Sequence, residues 1–152
     1  LEFARYQKNE ATELINLNDV IKNITKKYDG KKINLFLKES PKINIRLNSI
    51  KRCLINLMDN GLSYGKMVEI FVKKTLNNII ICVDDDGPGI SEKEYQNVIK
   101  PFYRIDKSRG QNKSGVGLGL SIANDIIRSH GGNITLDKSP MRGLRVKISL
   151  PL

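Results

Sequence analysis

The sequence predicts an α+β fold, a two-layer α/β sandwich in which a mixed, mostly antiparallel sheet is covered on one face by about three helices. Three segments repeat their apolar residues at the helical period, and five to seven shorter ones alternate at the period of a strand. Consecutive strands are often joined by turns too short to hold a crossover helix, which disfavours a parallel doubly wound sheet.

Taken in order, residues 1–10 (LEFARYQKNE) hold a short amphipathic stretch followed by a polar one. They read as the tail of a helix and a linker, and the folded domain is placed at 11–152. Residues 13–17 (ELINL) suit a short strand. Asn18 is the candidate N-cap of a helix in which Val20, Ile21 and Ile24 share a face, stopped at Asp29-Gly30. Residues 33–38 and 43–46 alternate around a turn at Ser40-Pro41. From Asn48 to Tyr64 the period is helical, with Ile50, Leu54, Leu57, Met58 and Gly61 on one side. MVEIFVKK and NIIICVDD form a β-hairpin, the second strand apolar enough to be central. After the loop DDDGPGI, Ser91 and Glu94 have the spacing of a capping box for a short helix toward Ile99. Residues 100–114 are basic and irregular. A helix over about 117–129 ends at Gly131-Gly132, and NITLDK and LRVKISL are two strands joined through SPMRG.

The chain has 152 residues and a formal charge of +10, enough length for one ordinary domain. No apolar run approaches the roughly 20 residues of a membrane-spanning helix, and the first ten residues have no signal-peptide pattern, so this piece is expected to be soluble. The lysines are scattered along the chain and form no block or stripe. That argues against nucleic acid as a partner and for nucleotide phosphates or an acidic protein. Cys53 and Cys82 sit among apolar residues without metal spacing and read as buried, reduced thiols.

Three constellations carry chemistry. At about 100° per residue, Asn56, Asn60 and Ser63 fall in a sector of about 60°, away from Leu54, Leu57 and Gly61. Such a face is either solvated or lines a site in which an amide oxygen holds a hard cation such as Mg²⁺ beside phosphate oxygens. Asp84-Asp85-Asp86 ends an apolar strand and runs into Gly87 and Gly89, which allow close approach of a flat ligand. A strand-end turn is the plainer alternative, and the spacing of a calcium loop is absent. Gly115-x-Gly117-x-Gly119 precedes a helix but fits neither a P-loop nor a dinucleotide fingerprint. Its free N–H groups and the helix dipole suit an anion, although glycines also serve tight helix packing.

Together and in this order, these segments resemble one known family. Asn56-x-x-x-Asn60 is similar to its N box, Asp85-x-Gly87-x-Gly89 to its first glycine box, PFYR at 101–104 to its F box, and Gly115-x-Gly117-x-Gly119 to its second glycine box. The family is the ATP-binding catalytic domain of sensor histidine kinases, of the Bergerat (GHKL) type. Within it, SIKR, NxxxNxxxYG, DDGPGI and the lid pattern PFxRxDxxR most resemble the EnvZ osmosensor type.

The resemblance implies a protein-histidine kinase that uses ATP and Mg²⁺. Asn60 would hold Mg²⁺, and Asn56 would sit near the phosphates or the transferring group. Asp85 would accept from the adenine amino group, while Gly87 and Gly89 pass under the base and Tyr64, Ile90 and Phe102 line the site. In the lid, Arg104 would contact the γ-phosphate with Lys107 and Arg109 as weaker contacts. Gly115, Val116, Gly117, Leu118, Gly119 and Leu120 would form the loop and amides on the phosphates. LEFAR resembles the end of a dimerisation helix, so the acceptor histidine is expected on upstream helices. His130, the only histidine, reads as a capping or packing residue. The implied partners are the dimerisation domain of the same kinase, a homodimer when whole, and the receiver domain of a response regulator, as in an EnvZ/OmpR-like pair. The implied place is the cytoplasmic side of an inner-membrane-anchored bacterial kinase. The sequence departs from the pattern at Ser63, where many members carry Lys or Arg; at Asp84, where Glu is commoner; and at Gly61, where Ala is usual. An ATP-sensing module without transfer activity and an anti-sigma-factor serine kinase are the alternative readings.

Overall fold

Residues 10–28, 32–39, 42–101, 103 and 119–152 are described in a computed structural model of the chain. Among these residues, seven strands and four α-helices follow in the order β1 (Glu13–Asn16), α1 (Leu17–Thr25), β2 (Ile33–Leu37), β3 (Lys42–Ile45), α2 (Leu47–Tyr64), β4 (Val68–Lys74), β5 (Asn78–Asp85), α3 (Tyr95–Val98), α4 (Gly119–Ser129), β6 (Asn133–Lys138) and β7 (Leu144–Pro151). A 3-10 turn at Glu92–Glu94 leads into α3.

Five strands form one sheet in the order β2-β4-β5-β7-β6. β2 runs parallel to β4, and the remaining neighbours are antiparallel. Alternation decides the faces: Val68, Ile70, Val72, Ile79, Ile81, Val83, Val146, Ile148 and Leu150 all point to the buried side, where α2 and α4 pack on the sheet and on each other. The opposite face holds a stacked Phe36–Phe71 pair, with ring centroids 4.7 Å apart, and the Asp84–Arg145 ion pair. Cys53 and Cys82 are free and buried, as expected. Among the described residues, no helix is long and apolar enough to cross a membrane.

Several local expectations need correction. The two strands flanking the Ser40-Pro41 turn are not partners: β3 pairs with β1 in a separate two-stranded sheet, while β2 crosses to β4. The first helix begins two residues early, because Asn16, not Asn18, accepts from the Asp19 N–H at 3.2 Å. Asn18 lies buried inside the helix, with no hydrogen-bond partner for Oδ1 among the described residues. The capping box at Ser91 does not form. Ser91 makes no side-chain cap bond, and Glu94 instead accepts from the Tyr103 hydroxyl. The Asp29-Gly30 and Ser40-Pro41 turns and most of the irregular segment lie outside the described residues.

The N-terminus of α2 and the C-terminus of α4 are finished by specific contacts. α2 has Arg46 as N-cap but no side-chain cap bond of its own. Glu10 supplies it from a distance, accepting from the Asn48 N–H at 2.6 Å and from the Ser49 N–H and Oγ at 3.0 and 2.9 Å. α4 ends in a Schellman arrangement: Gly131 has φ 80°, and the N–H groups of Gly132 and Gly131 reach the carbonyls of Ile127 and Arg128, both at 3.0 Å.

Candidate functional site

The triplet Asp84-Asp85-Asp86 divides into three environments, because alternate residues of a strand face opposite ways. Asp84 faces the outer side of the sheet and makes a two-pronged pair with Arg145, each contact 2.8 Å. Asp86 has left the strand. Its Oδ1 accepts from the N–H groups of Lys66 and Met67 at 2.7 and 3.0 Å, and those bonds, Met67 foremost, hold its carboxyl below the usual range.

Asp85 points to the helix side and is 6% exposed. Its Oδ1 accepts from the Gly87 N–H at 2.9 Å and the Leu144 N–H at 3.1 Å. Oδ2 has no hydrogen bond to a described residue. Burial pushes the carboxyl upward, against the pull of those two amides, and the neighbouring Asp86 and Asp84 charges add to the rise. A buried carboxylate with one oxygen fixed and the other open is a directed acceptor for a ligand N–H group.

Glycines from three separate segments make this geometry possible. A Cβ on Gly61 of α2 would lie 2.7 Å from a Val68 methyl and 3.4 Å from the Asp85 Cβ, so at this spacing a larger residue would have to push Val68 aside. A Cβ on Gly87 would lie 2.9 Å from the Tyr64 carbonyl oxygen, and one on Gly143 2.1 Å from Asp85 Oδ1. Gly89 has φ 72°, and its Cβ position lies 3.1 Å from the Arg142 carbonyl. The close approach set by Gly61 places the last turns of α2 beside Asp85. Asn56 and Asn60 are half-buried there, one turn apart, and Tyr64 is exposed. The first residue of α4, Gly119, has its Cβ position 3.9 Å from the Asn56 carbonyl, and Leu120 behind it is buried in the core. Ile90 is half-buried against the same core. A cavity of about 530 Å³ opens among Tyr64, Lys66, Asp86, Gly87, Pro88 and Arg142.

The expected residues Asn56, Asn60, Tyr64, Asp85, Gly87, Gly89, Ile90, Gly119 and Leu120 are thus gathered from α2, the loop after β5 and the start of α4. Phe102, Arg104, Lys107, Arg109, Gly115, Val116, Gly117 and Leu118 lie outside the described residues. Sequence reasoning missed Gly143, Leu144 and Arg142, which line the site from the β6–β7 turn. The only hint was a glycine in SPMRG, which any hairpin turn would also explain.

The donor set suits the groups that the resemblance implies. Asp85 offers an acceptor closely flanked by Gly61, Gly87 and Gly143, which suits a flat base with an amino group. No group of three or more His, Cys, Asp or Glu fit for a metal lies among the described residues. A Mg²⁺ ion here would therefore depend on an amide oxygen of Asn60 and on phosphate oxygens, a ligand set that this hard ion accepts.

A sequence model described as "Histidine kinase-, DNA gyrase B-, and HSP90-like ATPase" matches residues 45–152. Sensor histidine kinase GtrS of Pseudomonas aeruginosa is 34% identical over 145 residues, covering 94% of this chain and 30% of GtrS. Sensor histidine kinase CpxA of Escherichia coli is 39% identical over 106 residues, covering 69% of this chain and 23% of CpxA. The chain therefore spans less than a third of these relatives. A solved structure of the mycobacterial sensor histidine kinase MprB superposes with a TM-score of 0.79 at 20% identity, covering 92% of this chain and 97% of that one, and shares the fold.

Proposed function

The chain belongs to the family of histidine kinase-, DNA gyrase B- and HSP90-like ATPases, and from that premise we propose that it is the ATP-binding catalytic domain of a sensor histidine kinase. It binds Mg-ATP and transfers the γ-phosphoryl group to a histidine on a dimerisation domain, for relay to a response regulator. The observation that carries this reading is the Asp85 carboxylate: Oδ1 is pinned by two amides, and Oδ2 is left for the adenine amino group.

Each of the chain's own groups then has a task. Asp85 orients the base, Gly87 and Gly89 give it room, and Tyr64 and Ile90 flank it. The Asn56 and Asn60 amides sit on the phosphate side of α2, and the N-terminus of α4 at Gly119 and Leu120 offers N–H groups to an anion. Asn60 would hold Mg²⁺ together with phosphate oxygens, and the ion would supply charge neutralisation there. By the resemblance, Arg104, with Lys107 and Arg109, would supply further positive charge, Gly115, Val116, Gly117, Leu118 and Gly119 would contact the phosphates, and Phe102 would contribute to the base side. A neutral imidazole is already a nucleophile, so positioning and charge neutralisation supply most of the acceleration and no strong base is needed on this domain. Residues 1–10 lead in from the dimerisation helix of a membrane-anchored, homodimeric kinase, and the response regulator is of the OmpR type. The likeness of LEFAR to the end of a dimerisation helix supports the first of these assignments, and SIKR, the N box, DDGPGI and the lid pattern support the second.

Mixing the chain and labelled ATP with a separate dimerisation domain carrying its histidine should put acid-labile label on that histidine. No label on histidine would sink the proposal and favour the ATP-sensing alternative. Asp85→Asn should weaken ATP binding at least tenfold, about the 1.5–3 kcal/mol of a hydrogen bond to a charged group; undiminished affinity would refute the adenine assignment.

A further inference from the structure

Arg142 is the one non-glycine residue with positive φ among the described residues, at 79°. Glycine or asparagine would take that conformation with less strain, because a Cβ there crowds the backbone. The turn does not need the arginine side chain. It is closed by Ser139 N–H to the Gly143 carbonyl at 2.8 Å and by Arg142 N–H to the Ser139 carbonyl at 3.0 Å. The Met141 N–H adds a bond to Ser139 Oγ at 3.0 Å. The guanidinium is exposed and makes no hydrogen bond or ion pair with a described residue. It lines the cavity shared with Tyr64, Lys66, Asp86 and Gly87.

The turn is also fixed to Asp85. Gly143 abuts Oδ1 so closely that a Cβ would come within 2.1 Å, the Leu144 N–H bonds that same oxygen, and the Arg142 carbonyl packs on Gly89. The backbone of Arg142, the residue next to this contact, is therefore held close to Asp85, and its side chain lines the neighbouring cavity. Arginine offers donors and no acceptor, and a carboxylate offers acceptors and no donor. Adenine presents a matching pair, an amino donor beside acceptor ring nitrogens, whereas guanine presents an oxygen acceptor in place of the amino group.

Resting on the ATP reading above, we propose that Arg142 is a base-reading residue. Its guanidinium donates to a ring nitrogen of adenine next to the amino group that Asp85 accepts from, so the β6–β7 turn is the wall that selects adenine. Opposite guanine, Asp85 faces an oxygen and the donor–acceptor match is lost.

The test uses the whole chain, with nucleotide affinities from chemical-shift titration and melting temperatures from circular dichroism. Arg142→Gly should melt higher, because the strain is relieved. It should bind ATP and adenosine more weakly by the same factor, about tenfold for one lost hydrogen bond to a charged donor, and its preference for ATP over GTP should shrink. Arg142→Asn, which the left-handed region also tolerates, should behave alike and guards against a folding defect in the glycine variant. Unchanged ATP affinity in both variants would overturn the proposal. So would a loss for ATP that spares adenosine, since the arginine would then be reading phosphates. An unmutated chain that fails to bind ATP would instead overturn the ATP reading itself, and this proposal with it.

Discussion

Three adjacent aspartates at one strand end do three different things, because each faces a different way. Asp84 neutralises Arg145 on the outer face, Asp85 faces the helices with Oδ2 unbonded among the described residues, and Asp86 holds the α2–β4 connection. His130 is as specific. Its Nε2 accepts from the Arg46 N–H at 3.1 Å, and its Nδ1 lies 2.8 Å from the Ile126 carbonyl, so the neutral Nδ1–H tautomer satisfies both contacts. Arg46, Glu10 and Ser129 surround it. Burial, and then the Arg46 charge, hold its pKa below the ordinary value against the opposing Ile126 bond and Glu10 charge. A depressed histidine pKa means that the unfolded chain takes up the proton first. The stability is therefore fully present above about pH 6.5 and is lost as pH falls through the lower folded value. The melting temperature should drop between pH 7 and pH 5 by more in the parent than in His130→Gln. Equal drops would show that the folded histidine takes up its proton no later than the unfolded one.

At the scale of elements, the helices and strands expected from periodicity are present, and the errors fall at their ends. α1 starts early because Asn16 makes the cap bond, and the capping-box spacing at Ser91 and Glu94 fails because Glu94 is engaged by Tyr103. Local spacing identifies residues able to cap, and tertiary contacts choose among them. The cap of α2 shows the same rule over a longer span. Glu10 reaches the second and third amides of a helix that begins at Leu47, where a carboxylate also meets the favourable end of the helix dipole. Glu10→Ala should cost about 1–2 kcal/mol of unfolding free energy, and hydrogen exchange at Asn48 and Ser49 should quicken. Glu10→Gln, which keeps an acceptor, should lose less. Protection unchanged in Glu10→Ala would show that another group caps α2.

At the scale of the whole molecule, the candidate site is an assembly of segments distant in the chain: the end of α2, the loop after β5, the start of α4 and the β6–β7 turn. Gly143 is the tightest joint in it. Gly143→Ala would drive a Cβ into Asp85 Oδ1 and its backbone. It should destabilise the fold by about 2–3 kcal/mol and weaken ATP binding more than Ala at exposed Ser129 would. Titration of each purified variant with ATP checks this, and equal affinities would mean that the turn does not shape the site.

The sequence by itself determined the α+β class, the central place of β5, the apolar face of α2, and the Asn56, Asn60, Asp85, Gly87 and Gly89 pattern. Each of these is written in residues a few positions apart, where periodicity and spacing act directly. Only the tertiary structure decided that β3 leaves its neighbour β2 for β1, that Asp85 and not Asp84 faces the helices with an open oxygen, and that Arg142, Gly143 and Leu144 close the site. Those outcomes depend on which faces are buried together and which amide reaches which carboxylate across the fold. Packing of the shared core settles them, and no local spacing records it.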